Sequence, residues 1–197
     1  CKQPMKEEYL LTGKLEESND AYSIAKIAGL KMCEYYSKIH KINFKSFMPP
    51  NLYGPNDNYD TKQSHFYPAL IKKIHKAKVT DNKTLLIWGS GKARRELMFV
   101  DDFAEAIVFF IKKKIKEPFL NIGIGKDYSI KWYANFIMKQ LKTKLSINYD
   151  KSKPDGMPKK CLDTNLAEKY GWRPKNDFNN SFKITYEHFL KDKKNLN

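Results

Sequence analysis

Apolar runs of strand length alternate with longer runs of helical period along almost the whole chain, and that alternation leaves few folds open. Asn43 to Met48 alternates apolar and polar residues until Pro49-Pro50 ends the run, as a ladder requires where no N–H is available. Leu85 to Trp88, Glu96 to Val100, Phe119 to Gly123 and Leu145 to Tyr149 are further runs of strand length. Between them the spacing predicts helices from about Asp20 to His40, His65 to Lys78, Ser129 to Leu141, Thr164 to Tyr170 and Asn180 to Lys191. Another, carrying Ala104, Ile107, Val108 and Ile111, follows Asp101 as its cap, as Asn19 or Asp20 caps the first. Strands alternating with helices throughout make the fold class α/β. In the first helix Ala25, Ala28 and Gly29 leave a small face beside the apolar Ile24, Ile27 and Met32, so this helix is expected to be packed on both sides. Asn51 to Ser64 reads as a loop longer than a simple connection, and such loops are usually functional.

The residues with the clearest chemistry sit at the start of that first helix, in Tyr22-Ser23-Ile24-Ala25-Lys26. A four-residue spacing is just over one helical turn, so phenol and ammonium project from one face. A cation beside a phenol favours the phenolate, which makes Tyr22 a candidate proton donor or acceptor. Spacing alone proves little, because Tyr149 and Lys153 share it in a stretch that reads as surface loop.

Composition bounds the alternatives. With 197 residues, 41% hydrophobic and 14% aromatic, the chain can bury a core on the scale of one domain or slightly more. No apolar run approaches the length that spans a bilayer, so no membrane partner is expected. Cys1, Cys33 and Cys161 are widely spaced and form no CxxC, which suggests neither a disulfide framework nor a metal site, and a reducing cytoplasm as the setting. The net charge of +15 invites a nucleic-acid reading, but the excess is scattered Lys, and the only arginines are Arg94, Arg95 and Arg173. Groove readers concentrate their cations on one element, so no nucleic-acid partner is expected. Against so little Arg, the adjacent Arg94 and Arg95 after a Gly-rich turn stand out, with Arg94 expected to face solvent.

Ala21 to Gly29, Met48 to Asn58, Ser64-His65, Trp88 to Gly91, Arg95-Glu96, Val100-Asp101-Asp102, Asn121-Ile122-Gly123 and Ser152 to Gly156 resemble, in this order, the extended short-chain dehydrogenase/reductase family. The resemblance implies the C-terminal part of a Rossmann-type parallel sheet plus a small α/β substrate-binding domain. Residues 1–55 would belong to the coenzyme side and 56–197 mainly to the substrate side, with about 96–113 returning to the first. The members matched most closely use NADPH to epimerise and then reduce a GDP-linked 4-keto-6-deoxy sugar. By that resemblance Tyr22 protonates the new alkoxide, Lys26 supports it and bonds the nicotinamide ribose, and His65 protonates carbon during epimerisation. Pro49, Pro50, Asn51 and Leu52 would lie with Lys26 and His65 against the nicotinamide end of NADP. Lys73, Trp88, Arg95 and Asp155 would hold the GDP-sugar, with Arg95 forking to its pyrophosphate and Lys160 as an extra phosphate contact. The remaining histidines, His40, His75 and His188, read as surface.

The family's Gly-rich coenzyme turn and its catalytic Ser and Cys have no counterpart in these residues, and Cys1 is given no role. The expectation is therefore a C-terminal two-thirds that neither binds NADP properly nor turns over alone, and that forms a homodimer through the Tyr22 helix when full length. Two rivals remain: another epimerase, dehydratase or reductase of nucleotide sugars, and a basic, non-catalytic binding fragment.

Overall fold

The computed structural model describes residues 1–61 and 63–196. Helix α1 (Asp20–His40) leads to strands β1 (Ser46–Met48) and β2 (Asn51–Tyr53), then α2 (Phe66–Val79), β3 (Thr84–Trp88), β4 (Arg94–Arg95) and β5 (Leu97–Phe99). The chain continues through α3 (Val100–Ile111), β6 (Phe119–Asn121), β7 (Tyr128–Ser129), α4 (Ile130–Gln140) and β8 (Ser146–Asp150). It ends with β9 (Lys159–Lys160), α5 (Asn165–Lys169), α6 (Phe178–Lys191) and α7 (Lys193–Leu196). Strand β1 runs parallel to β6, β2 to β5, β3 to β8 and β9 to β4, while β7 runs antiparallel to β4. Parallel neighbours joined through helices are the α/β arrangement that the alternation predicts.

Two buried clusters organise these pieces. Tyr67, Ile71 and Ile74 of α2 meet Tyr133 and Ile137 of α4, Phe182 and Phe189 of α6, and Leu85 and Ile87 of β3 in the first. Ala106 and Phe110 of α3 meet Leu120 of β6, with Ile122, Ala167 and Trp172, in the second. Strand β5 stands between them, sending Leu97 and Phe99 into the first core and Met98 into the second, as the two-residue period of a strand requires. Each such side chain contributes roughly 1.5–3 kcal/mol by leaving water.

Several expectations are corrected. The expected loop from Asn51 begins as strand: Asn51 lies opposite Leu97 and Tyr53 opposite Phe99. Pro49 and Pro50 cannot donate to a ladder, which ends β1, but they keep the backbone extended, so the chain pairs again directly after them. Position 62 of that expected loop lies outside the described residues. Helix α1 is not packed on both sides. Leu30 is its one buried residue among those described, and Ile24, Met32, Tyr35, Tyr36 and Ile39 are exposed. A Cβ added at Gly29 would meet nothing within 4 Å. Periodicity names the apolar face of a helix but not what covers it.

The caps also differ. Asn19 holds the N-cap position of α1 without a side-chain bond, and the Asp20 carboxylate instead accepts from the Ala21 N–H at 2.6 Å. Helix α3 begins ahead of Asp101, with Phe99 at its N-cap position. Its buried Asp102 fastens the approach to α6, accepting from Lys175 N at 3.0 Å and Asn176 Nδ2 at 2.9 Å. His75 is half-buried rather than on the surface, with Nδ1 2.7 Å from the Tyr186 hydroxyl, and burial holds the imidazole below its usual range. Among the described residues no helix is long and apolar enough to cross a membrane.

Candidate active site

Tyr22 lies in the first turn of α1 and Lys26 one turn on, and the helical spacing brings them together: Lys26 Nζ is 5.4 Å from the Tyr22 ring centroid. Ser23 Oγ donates to the Asn19 carbonyl at 2.9 Å, which ties down the same turn. Tyr22 is 60% exposed, so its hydroxyl is open to whatever lies before this face of α1.

A second group of expected residues gathers where β3 ends. Trp88, half exposed, is the last residue of β3, and Lys73 reaches it from α2 with Nζ 5.2 Å from the indole ring. The same Nζ is 3.4 Å from the Leu86 carbonyl, and burial holds the Lys73 ammonium below its usual range. The turn after Trp88 uses Gly89 at φ 73° and Gly91 at φ 70°, a region that favours glycine. Asp155 grips that turn, one carboxylate oxygen accepting from Ser90 N at 2.6 Å and the other from Ser90 Oγ at 2.7 Å. These bonds to Ser90 hold the Asp155 carboxyl below the usual range. A Cβ on Gly89 would clash with the Asp155 carboxylate, so glycine is needed here twice over.

Arg95, on β4, binds the same 155–157 segment from the other side. Its Nη1 donates to the Met157 carbonyl at 2.6 Å and to the Arg94 carbonyl at 2.8 Å, and Nη2 lies 3.5 Å from the Asp155 carbonyl. Burial lowers its guanidinium below the usual range, against the charges of Glu16 and Asp155. Glu16 immediately precedes the turn into α1, so the segment leading to that helix lies within electrostatic reach of Arg95. Arg94 is exposed, as expected, but its guanidinium is paired. Successive strand residues point to opposite faces, and Arg94 meets Asp127, its Nε pairing with the carboxylate and Nη2 donating to the Asp127 carbonyl at 2.5 Å. Burial works to raise the Asp127 carboxyl, but Arg94 and Lys159 outweigh it and hold it below its usual range.

His65 occupies the N-cap position of α2 and is exposed. It is joined to the Arg95 corner through packing: the Phe66 ring lies 5.5 Å from that of Tyr133, whose hydroxyl donates to the Arg95 carbonyl at 2.8 Å. Asp57, half-buried in the preceding loop, has its carboxyl raised by burial, with the Asn58 N–H and the nearby His65 pulling it back. Pro49 and Pro50 form the junction between β1 and β2, while Asn51 and Leu52 are committed to the β2–β5 ladder.

Sequence reasoning missed three neighbours of this site. Lys153 Nζ lies 5.7 Å from the Trp88 ring, and only its place in Ser152-Lys153-Pro154-Asp155-Gly156 distinguishes it from other lysines. Glu96, 1% exposed, takes Leu162 N at 2.7 Å on one oxygen, and Ile124 N at 2.6 Å and Gly125 N at 2.9 Å on the other. Asp57 is the third. Among the described residues no group of three or more His, Cys, Asp or Glu could hold a metal ion.

Residues 1–123 match the profile of the NAD dependent epimerase/dehydratase family. The chain is 44% identical over 188 residues to a GDP-L-fucose synthase of Sinorhizobium fredii, covering 95% of this chain and 60% of that protein. It is 41% identical over 197 residues to a GDP-L-colitose synthase of Yersinia pseudotuberculosis, covering 99% and 64%. Among solved structures, a GDP-L-fucose synthetase from Naegleria fowleri superimposes with a TM-score of 0.89 at 25% identity, over 98% of this chain and 62% of that one. A GDP-6-OMe-4-keto-L-xylo-heptose reductase from Campylobacter jejuni does so at 0.88 and 30% identity, over 96% and 66%. The chain thus spans 60–64% of the length of these two sequence relatives. With the fold, the Tyr22–Lys26 pair and this likeness in agreement, the chain belongs to the NAD dependent epimerase/dehydratase family.

Proposed function

We propose that this chain serves an NADP-dependent GDP-L-fucose synthase, which turns GDP-4-keto-6-deoxy-D-mannose into GDP-L-fucose by 3,5-epimerisation and then reduction of the 4-ketone. The observation that carries the reading is the Tyr22–Lys26 pair on the open face of α1, an acid with its supporting cation on one rigid element. The named relatives supply the substrate class. Tyr22 gives its proton to the oxygen formed at C4, and Lys26 stabilises the phenolate left behind. His65, exposed at the head of α2, exchanges a proton with the carbons flanking the ketone. Arg95 and Lys73 meet the diphosphate, and Trp88 offers its indole to the base or sugar. Asp155 holds the turn that carries Trp88, with both oxygens engaged by Ser90.

The residues present fit the nicotinamide end of NADP in donor chemistry. A phenol and an ammonium share one exposed helix face, and Pro49-Pro50 offers an apolar edge without N–H groups at the end of β1. When bound, NADPH supplies the hydride; Lys26, Pro49 to Leu52 and His65 are the residues here that would hold it. Two cores are compatible with two functional parts, α2, α4 and α6 sharing one, but the other joins α3 to β6, Ala167 and Trp172, which lie outside the bounds read from the sequence for the coenzyme side. The exposed apolar side chains of α1 are consistent with a homodimer through that helix, and the setting is cytoplasmic.

A second reading rests on the comparable likeness to the GDP-L-colitose synthase: the same residues acting on another GDP-linked keto sugar. Following NADPH oxidation by the full-length protein tests both. GDP-4-keto-6-deoxy-D-mannose should be reduced, with Tyr22→Phe slowing reduction about 100-fold or more and His65→Gln blocking solvent-hydrogen exchange at C3 and C5. Full turnover with Tyr22→Phe would overturn the reading. Exchange unaffected by His65→Gln, with reduction of a different GDP-sugar, would favour the second.

A further inference from the structure

We propose that Lys153 is a further substrate-binding residue, which together with Lys73 grips the diphosphate of the nucleotide sugar beside the Trp88 indole. The inference rests on the substrate site proposed above and adds a contact to it. Two ammonium groups lie within 5.7 Å of one ring centroid, Lys73 at 5.2 Å and Lys153 at 5.7 Å. An exposed cation–π contact is worth only about 0.5–1 kcal/mol. The two cations share one aromatic surface, and so weak a contact leaves their charge available to an anionic ligand. Such an arrangement is better satisfied by an anion that meets both cations than by the indole alone.

The neighbouring carboxylates are turned to other work. Asp150 lies within electrostatic reach of Lys153, but its Oδ1 accepts from Ser152 Oγ at 2.6 Å and Ser152 N at 3.1 Å. Asp155 is held by Ser90. Lys73 is in addition partly desolvated, a state that an anionic ligand would relieve.

The position of Lys153 is built by the fold. Trp88 is in register with Asp150 across the β3–β8 ladder, and the Asp150 carbonyl accepts from Gly89 N at 2.9 Å and Lys153 N at 3.2 Å. The far end of the loop is pinned by Asp155 on Ser90 and by Arg95 on the Met157 carbonyl. Lys153 is therefore presented from a segment anchored at both ends. A nucleoside diphosphate, flat at one end and doubly charged at the other, matches an indole flanked by cations. A point charge on a flexible stem suits a phosphate whose exact position differs between sugars.

The test is calorimetric titration of the full-length protein with GDP and, separately, with guanosine. Lys153→Met should weaken GDP about tenfold and leave guanosine within twofold, while Lys153→Arg retains most of the affinity. Lys151→Met, exposed in the same loop, should change nothing. Lys153 is exposed, so Lys153→Met should fold, and its circular dichroism checks that it has. GDP affinity unchanged in Lys153→Met, while Trp88→Ala and Arg95→Ala lose it, overturns this proposal alone. An equal loss for guanosine and GDP also overturns it, because Lys153 would then act through the base. A wild-type protein that binds no GDP overturns the substrate site as well.

Discussion

Replacing Glu96 by Gln asks how much of the Arg95 corner depends on one buried carboxylate. Glu96 joins β4 to β5 and reaches across to the 123–125 and 161–162 segments, where three backbone N–H groups point at its two oxygens. Gln keeps one acceptor oxygen. Its better orientation keeps Ile124 and Gly125 satisfied and turns an NH2 group toward the Leu162 N–H, donor against donor. That removes one charge-assisted bond, about 1.5–3 kcal/mol, and leaves a buried N–H unpaired at about 1–3 kcal/mol. Part of this is returned, because burial already raises the Glu96 carboxyl above its usual range, with the three N–H bonds pulling the other way. A net loss of about 2–3 kcal/mol is expected, a fall in Tm of roughly 4–12 °C for a domain of this size. The pH sign follows from the raised folded value. The stability linked to Glu96 is fullest below the usual Glu range and declines as pH rises through the folded value, so the deficit of the variant should be larger at pH 5 than at pH 8. Thermal unfolding followed by circular dichroism measures both. An unchanged or higher Tm would refute the account of Glu96 as the anchor, and a deficit that grows with pH would refute the sign.

Two further outcomes follow from buried groups near His65. The Tyr67 hydroxyl is buried with no hydrogen-bond partner among the described residues, so Tyr67→Phe should stabilise the protein by about 1 kcal/mol, raising Tm by roughly 2–4 °C. A fall instead would mean that an internal water satisfies this hydroxyl. Burial raises the Asp57 carboxyl, so its contribution to stability is fullest below the usual Asp range and is lost as pH rises through the raised folded value. Asp57→Asn should therefore gain on the wild type in urea midpoint between pH 4 and pH 7, and a widening advantage for the wild type over that range would contradict the burial argument.

Much of the fold was legible because its signals are local. Helical periods place α2, α4 and α6 within a few residues, and the Gly89-Ser90-Gly91 turn is read directly from its glycines. What was not legible depends on partners distant in sequence. Strand β2 has no alternating pattern of its own and exists because Leu97 to Phe99 lie beside it. The exposure of α1 follows from what its apolar face meets, which no period encodes. Gly123 gives no local hint of its purpose, yet a Cβ there would clash with the Glu96 carboxylate, so the glycine is explained by a residue far away in sequence. Tyr22 and Lys26 share one helix turn and could be paired from spacing. Lys153 could not be chosen over its many neighbours until β3 and β8 placed it over Trp88.

The six residues from Arg94 to Phe99 show why site and stability are hard to separate here. Consecutive positions serve different neighbours: Arg94 pairs with Asp127, Arg95 holds the 155–157 segment, and Glu96 binds the 123–125 and 161–162 segments. Leu97 and Phe99 then enter one core and Met98 the other. The alternation of a strand makes this sorting possible, since each step of one residue reverses the face presented. A substitution at Glu96 should thus lower Tm and GDP affinity together, because the backbone that aims Arg95 is held by the same carboxylate that ties the cores. Lys153 lies outside this run on an exposed loop, so its loss should weaken GDP binding with Tm unchanged. The contrast between the two variants separates binding energy held in the frame from binding energy held in a single surface cation.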